Sequence, residues 1–164
     1  EPTLTLLTRE QARSTERAVP VVSLKIAAGT FSGTQSLEDE AEHWVQLAEG
    51  FATAPGLFVA QVIGESMNKR IPNGAWCLFR ANPVGSRQGK IVLVQHRDVT
   101  DPETGGSYTV KRYQSEKQGD GEGWQHERIT LMPMSSDPQY QPLVLVLKDE
   151  GAVRVVAEWV AVVG

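Results

Sequence analysis

The chain has 164 residues, of which 40% are hydrophobic, and this is enough for one well-packed domain. Its formal net charge of −4 argues against a surface that binds nucleic acid through the phosphates. The single cysteine, Cys77, excludes an internal disulfide and fits a reducing, cytoplasmic compartment. No stretch approaches the roughly 18 apolar residues that span a bilayer, so we expect no membrane contact.

The first residues differ in character from the rest of the chain. Residues 1–18 are polar with little apolar periodicity, and the sequence begins with Glu1 rather than Met. We therefore expect a linker, or the end of an N-terminal region that lies outside this sequence, followed by one domain over residues 19–164. The acidic stretch Glu38–Glu42 is predicted to be a solvated loop or one helical turn.

From residue 19 onward, β signals dominate. Short apolar runs alternate with glycine and proline turns, which is typical of a mostly β domain. The predicted strands are Val19–Ile26, His43–Leu47, Leu57–Ile63, Trp76–Phe79, Gly89–His96, Ser107–Tyr113, Arg128–Met132, Leu143–Leu147 and Val153–Val163.

A serine follows one of these strands where the chain turns, in Gly64-Glu65-Ser66-Met67. Serine at such a position is either a turn residue or a nucleophile that a neighbouring base activates. The turn does not match the Gly-x-Ser-x-Gly elbow of α/β-hydrolases, because Asn68 occupies the last position. Ser66 and Lys69 formally match Ser-x-x-Lys of penicillin-recognising enzymes, but Pro72 stops the long helix which that motif requires. We therefore expect Lys69 to be solvated.

A lysine lies inside a predicted strand, in Tyr108-Thr109-Val110-Lys111-Arg112-Tyr113. Strand alternation places Thr109 and Lys111 on one face. Lys111 is either an edge-strand lysine that faces water or a desolvated base. A free lysine has a pKa of about 10.4, so a base that works near neutrality needs a pKa lower by about 2–3, which burial can impose.

Other kinds of chemistry find little support. His43, His96 and His126 share no ligand spacing with Cys77, so we expect neither a zinc site nor another cofactor. No aspartate partner for a Ser-His-Asp triad is evident. The glycine-rich stretch 119–123 lacks the lysine and the serine or threonine of a phosphate loop and is predicted to be a surface turn.

Four segments, in order, resemble the LexA/UmuD/phage-repressor family of self-cleaving peptidases. The resemblance extends from about residue 19 to residue 164. It implies a LexA C-terminal-domain-like fold of twisted β-sheets or a partial barrel with few short helices, and it also implies a homodimer. The four segments are Val19–Gly29, the Gly64-Glu65-Ser66-Met67 turn, Thr109-Val110-Lys111-Arg112, and Leu131–Pro142, which is similar to the family's Leu-x-Pro-x-Asn-x-x-Tyr-x-Pro pattern.

The resemblance also implies a Ser-Lys dyad. Ser66 is then the nucleophile and Lys111 its neutral general base, while the backbone N–H groups of Ser66 and Met67 stabilise the oxyanion. The resemblance further implies that the bond cut is Ala28-Gly29 of the same chain. The segment around this bond would enter the cleft in an extended form, and the cut would separate an N-terminal partner from the domain.

The sequence departs from the family pattern where Ala75 replaces an aspartate and where Ser135 or Ser136 replaces an asparagine. The resemblance implies regulation by a RecA-type activator in an SOS response to DNA damage, and it is also compatible with stress or defence regulation in a larger protein. Eighteen polar residues cannot form a DNA-binding helix-turn-helix. Two alternatives stay open: a peptidase that cuts another protein, and a catalytically silent dimerisation or sensor module. A signal-peptidase relative fits less well, because no membrane anchor is present.

Overall fold

The structure is a computed structural model that describes residues 4–29, 37–48, 50–51, 56–96, 107–119, 125–147 and 153–164. The predicted mostly β class is confirmed, with short helices near the N-terminal end. In chain order the elements are β1 (Leu6–Leu7), α1 (Arg9–Arg13), β2 (Ala18–Val21), α2 (Leu24–Gly29), α3 (Leu37–Glu40), β3 (His43–Gln46), β4 (Leu57–Val62), β5 (Ala75–Ala81), β6 (Ile91–His96), β7 (Tyr108–Gly119), β8 (Gln125–Met132), β9 (Leu143–Leu147) and β10 (Val153–Val162).

The strands form one open, mixed sheet in the order β1-β3-β2-β4-β5-β10-β6-β7-β8-β9. Neighbouring strands are antiparallel except β2 and β4, which run parallel with Val21 opposite Val59. The predicted hairpin of β6 and β7 is present, and Val92 lies opposite Lys111 in it. Its connecting loop through Asp101–Gly106 lies outside the described residues, as does the turn after Gly119.

Both faces of the sheet are covered by apolar side chains at β6 and β7. Strand alternation directs Leu93 and Val110 into a large apolar cluster that also contains residues of β4, β5, β10 and α2. Val92 and Val94 point to the opposite face and pack with side chains of β7 and β8. At the centre of the large cluster the rings of Phe58 and Phe79 stack with centroids 5.4 Å apart.

The predicted strand Val19–Ile26 is wrong beyond Val21, because the chain there enters helix α2. The Ser23 hydroxyl accepts a hydrogen bond from the Ile26 N–H at 3.1 Å and so satisfies a free donor of the first helical turn. The apolar side chains of Leu24 and Ala27 are buried. They follow helical spacing as well as strand spacing, and the serine cap decides between the two.

Residues 4–18 contribute a strand and part of another to the sheet, whereas the sequence predicted a linker or the end of an N-terminal region over residues 1–18. Strand β1 pairs with β3, with Leu6 opposite Val45. Thr8 and Gln11 form a capping box, in which each side chain accepts a hydrogen bond from the backbone N–H of the other residue, and this starts helix α1. The Thr-x-x-Gln spacing was the signal for this helix in the sequence.

The acidic stretch Glu38–Glu42 was predicted to be a solvated loop or one helical turn. Its first residues belong to the helical turn α3 (Leu37–Glu40). None of the helices among the described residues has the length and apolar character to cross a membrane.

We expect Phe79→Ala to lower the free energy of unfolding by about 3–5 kcal/mol, because truncating a fully buried ring leaves a cavity. The measurement is urea denaturation followed by tryptophan fluorescence. Val84→Ala is the control: Val84 is 82% exposed, so its loss changes the free energy by no more than about 0.5 kcal/mol. Equal losses in the two variants would contradict the assigned core.

The thiol of Cys77 is fully buried on β5. Burial raises its pKa from 9.0 to about 11, and the indole of Trp159 opposes this shift in part. Between these two pH values the unfolded chain loses the thiol proton while the folded chain keeps it. Stability contributed by the neutral thiol is therefore complete below pH 9 and is lost as the pH rises towards 11.

We accordingly expect the free energy of unfolding of the wild type to fall by about 2–3 kcal/mol more than that of Cys77→Ala between pH 8.5 and 11. Urea titrations of both proteins at a series of pH values measure this difference. Because lysines and tyrosines titrate equally in both proteins, their contributions cancel. Parallel curves for the two proteins would show that the thiol does not contribute.

Candidate active site

The serine singled out in the sequence lies in the turn that joins β4 to β5. Gly64 begins this turn with φ +113°, a conformation that residues with a side chain rarely adopt, and its N–H donates to Asn73 Oδ1 at 2.7 Å. Met67 and Ile71 are fully buried in the large core cluster and fix the turn to the sheet. Ser66, between them and Gly64, is half-buried.

A late segment, residues 133–142, holds the same turn from the other side. The Met134 N–H donates to the Ser66 carbonyl at 2.9 Å, and the Lys69 N–H donates to the Met134 carbonyl at 2.9 Å. Asn68 and Ser136 add a reciprocal pair: Asn68 Nδ2 donates to Ser136 Oγ at 3.1 Å, and the Ser136 N–H donates to Asn68 Oδ1 at 2.9 Å. The backbone around Ser66 is therefore hydrogen-bonded before, at and after this serine.

The lysine singled out in the sequence comes from β7 and meets this serine. Lys111 Nζ donates to Ser66 Oγ at 2.9 Å, across 45 positions of sequence. The structure thus brings together the two side chains that the sequence paired. The contact is partly buried, whereas Lys69, the other lysine near the serine, is exposed.

Two further acceptors surround the lysine amine. Lys111 Nζ donates to Thr109 Oγ1 at 2.8 Å and to the Val110 carbonyl at 3.1 Å. A neutral amine has two N–H groups and one lone pair. Lys111 Nζ thus lies within hydrogen-bond distance of three oxygens. Once the amine has lost a proton, its two N–H groups can stay on Thr109 and Val110 while its lone pair accepts the Ser66 hydroxyl proton, as a general base requires.

Thr109 was not predicted as a site residue, although the sequence contained a signal for it. Strand alternation already places Thr109 on the face of Lys111, and its side chain is only 5% exposed. A buried hydroxyl two positions before a candidate base is positioned to bind the amine of that base. Asn68 was also not predicted, and no local spacing links it to Ser136, 68 positions later.

The backbone donors predicted for the oxyanion are the N–H groups of Ser66 and Met67. Among the described residues, no hydrogen bond uses the N–H of Ser66 or the N–H of Met67 as its donor. Their role in binding an oxyanion beside Ser66 stays a prediction.

The predicted cleavage bond, Ala28-Gly29, lies at the end of helix α2 rather than in an extended segment. Ala28 is 2% exposed. The helix packs against β4, β6 and β7. In this conformation the bond belongs to the last turn of the helix, with Ala28 buried and Gly29 exposed.

Within the part of the chain that the structure describes, no group of histidine, cysteine, aspartate or glutamate has the arrangement of a metal site. His43 is exposed on β3, whereas His96 is buried on β6.

Comparison with known proteins assigns the family. The sequence model of the family described as Peptidase S24-like matches residues 20–160, most of the chain. No curated protein matches this sequence closely. The predicted resemblance to LexA, UmuD and the phage repressors is thereby confirmed, and with it a peptidase-type domain of the Ser-Lys kind. The chain belongs to the Peptidase S24-like family.

Proposed function

We propose that this domain is a Ser-Lys endopeptidase that cuts its own chain between Ala28 and Gly29. The single observation that carries the proposal is the 2.9 Å contact between Lys111 Nζ and Ser66 Oγ, with Thr109 and Val110 accepting from the same amine. A lysine that merely faced water would not need three protein acceptors. The serine turn, hydrogen-bonded to the late segment, keeps the oxygen in place for attack.

The chemistry follows from the position of each group. Ser66 Oγ attacks the Ala28 carbonyl carbon while neutral Lys111 takes the hydroxyl proton. The N–H groups of Ser66 and Met67 hold the resulting oxyanion. Lys111 then gives its proton to the Gly29 nitrogen, which leaves as an amine, and Ala28 stays bound to Ser66 as an ester. Water, activated by the same amine, hydrolyses that ester and restores the hydroxyl.

The bond must leave helix α2 before it can be cut. Attack requires the carbonyl carbon within about 3–3.5 Å of the nucleophile in an accessible orientation, whereas Ala28 is buried within a helical turn. We infer that α2 unwinds before cleavage. A RecA-type activator or a second subunit that stabilised the unwound segment would speed cleavage without contacting the dyad.

The same burial favours one alternative, a peptidase that acts on another protein. A helix that hides Ala28 leaves Ser66 without a substrate in its own chain. Mixing the wild type with Ser66→Ala protein that carries a mass tag separates the two cases. Cutting of the tagged protein supports action in trans, and a wild type that cuts only itself supports action in cis.

We expect wild-type protein held at raised pH to yield residues 1–28 and 29–164, as identified by mass spectrometry. The rate should rise between pH 7 and 10, because the neutral fraction of a lysine amine increases towards its pKa, ordinarily about 10.4. Ser66→Ala and Lys111→Met should stay whole, and Lys69→Ala, which removes only an exposed amine, should cut at the wild-type rate. A wild type that stays whole from pH 6 to 10 contradicts self-cleavage.

We expect Thr109→Val to slow cleavage by about tenfold to a hundredfold, because one acceptor of the Lys111 amine is lost from a partly buried site. Thr109→Ser keeps the acceptor and should restore most of the rate. Single-turnover cleavage rates across pH give the comparison, with thermal unfolding as the check on folding. If valine and serine variants cut equally fast, Thr109 does not orient the base.

A further inference from the structure

Strand β3 follows the proposed cleavage bond in the chain, but both of its neighbours in the sheet precede that bond. Strand β3 pairs with β1 on one side and with β2 on the other. Both partner strands precede Ala28, whereas β3 begins at His43. A cut at Ala28-Gly29 therefore does not separate two independently folded parts. It divides one sheet between two chains.

Strand β2 is an interior strand. It pairs over its full length with β3 and joins β4, where the Val22 N–H donates to the Val59 carbonyl at 3.0 Å. The Leu47 N–H donates to the Arg17 carbonyl at 2.8 Å and extends the same ladder. Val19 is 4% exposed and packs in a cluster with side chains of β3, β4 and β5. Withdrawing β2 would expose this cluster and two rows of backbone groups.

Contacts outside the ladder strengthen the attachment. The guanidinium of Arg9 lies over the ring of Trp44, 5.2 Å from its centroid, and donates to the Ala41 carbonyl at 3.2 Å. Leu4 lies against the C-terminal residue so closely that a Cβ on Gly164 would be 2.7 Å from Leu4 Cγ. The N-terminal segment thus contacts both the residues around β3 and the end of β10.

We propose that the gap between β3 and β4 is a peptide-binding slot whose occupant is the chain's own N-terminal product, which stays bound as β1, α1 and β2 after cleavage. The proposal rests on the proposed function, since that function makes the cut at Ala28-Gly29. Each pairing and contact described above joins a residue before Ala28 to a residue after Gly29. None of these contacts is broken when that bond is hydrolysed. Cleavage then nicks the domain, and separation of the fragments needs a second event that withdraws β2.

The first test uses wild-type protein after self-cleavage. We expect both fragments to elute together in native size-exclusion chromatography at micromolar concentration, and to elute apart in 6 M guanidinium chloride. Denaturing mass spectrometry of each peak identifies the fragments. Separate elution in native buffer overturns the proposal.

The second test does not depend on the dyad. Ser66→Ala protein receives the recognition sequence of a site-specific endoprotease between Gly29 and Leu37, is cut in mild urea and is returned to buffer before the same chromatography. Co-elution supports the slot, and separation overturns it. Should the wild type fail to cut itself while this nicked protein keeps its fragment, the proposed function fails and the slot stands.

A pair of variants of the nicked protein locates the binding energy. Val19→Ala removes buried contact from β2, so we expect the fragment to dissociate at least tenfold faster. Glu10→Ala, at an exposed position of α1, is the control and should leave the dissociation rate unchanged. Exchange of a fluorescent residue 1–28 peptide measures both rates. A fragment that dissociates equally fast in both variants is not held through β2, and that result contradicts the slot.

Discussion

The curvature of the sheet is the constraint on which the site depends. Four strand-to-strand steps separate β4 from β7, and a fifth reaches β8, which is roughly 24 Å in a flat sheet at about 4.8 Å a step. The chain from Val62 to Ser66 and the chain from Met132 to Met134 extend at most about 14 Å and about 7 Å. Nevertheless, the Met134 N–H reaches the Ser66 carbonyl at 2.9 Å. The sheet must therefore curl between β4 and β8.

Curvature also explains why Ser66 and Lys111 are held in place by different kinds of contact. Lys111 is positioned by its own strand, because Thr109 and the Val110 carbonyl lie within two residues of it. Ser66 is positioned by contacts from distant parts of the chain: the late segment holds its carbonyl and the neighbouring Asn68. A change in curl would therefore move the serine relative to the lysine while leaving the lysine's two nearest acceptors in place.

This difference sets the limit of what the sequence could predict. The presence of the strands from β4 onward followed from alternation and from glycine and proline turns, although β7 continues past its predicted end at Tyr113 to Gly119 and β8 begins at Gln125, before its predicted start at Arg128. The pairing of Ser66 with Lys111 followed from ordered motifs. The contact of Asn68 with Ser136 had no signal, because it depends on how far the sheet curls.

Near the N-terminus the errors had a local cause. Helices α1 and α2 each begin at a hydroxyl side chain, Thr8 for α1 and Ser23 for α2. At both places the apolar pattern is compatible with a strand or a linker as well as with a helix, and the hydrogen bonds of the capping residue favour the helix. The cap of α1 was readable as Thr-x-x-Gln, whereas a lone serine before Leu24 matches many turns as well.

An anchored β2 and a cleavable Ala28-Gly29 bond are compatible, because the helix between them supplies the movement. Strand β2 ends at Val21, and the six residues of α2 follow after a short connection. A helix rises about 1.5 Å per residue and an extended chain about 3.3 Å, so unwinding α2 lengthens this segment by roughly 11 Å. That gain requires no change in the pairing of β2 with β3 or β4. Each 1.4 kcal/mol by which packing favours the helix lowers the unwound population, and with it the cleavage rate, about tenfold. If α2 must unwind before cleavage, burial of Ala27 and Ala28 lowers the rate of the proposed reaction, while β2 keeps the preceding segment paired in the sheet.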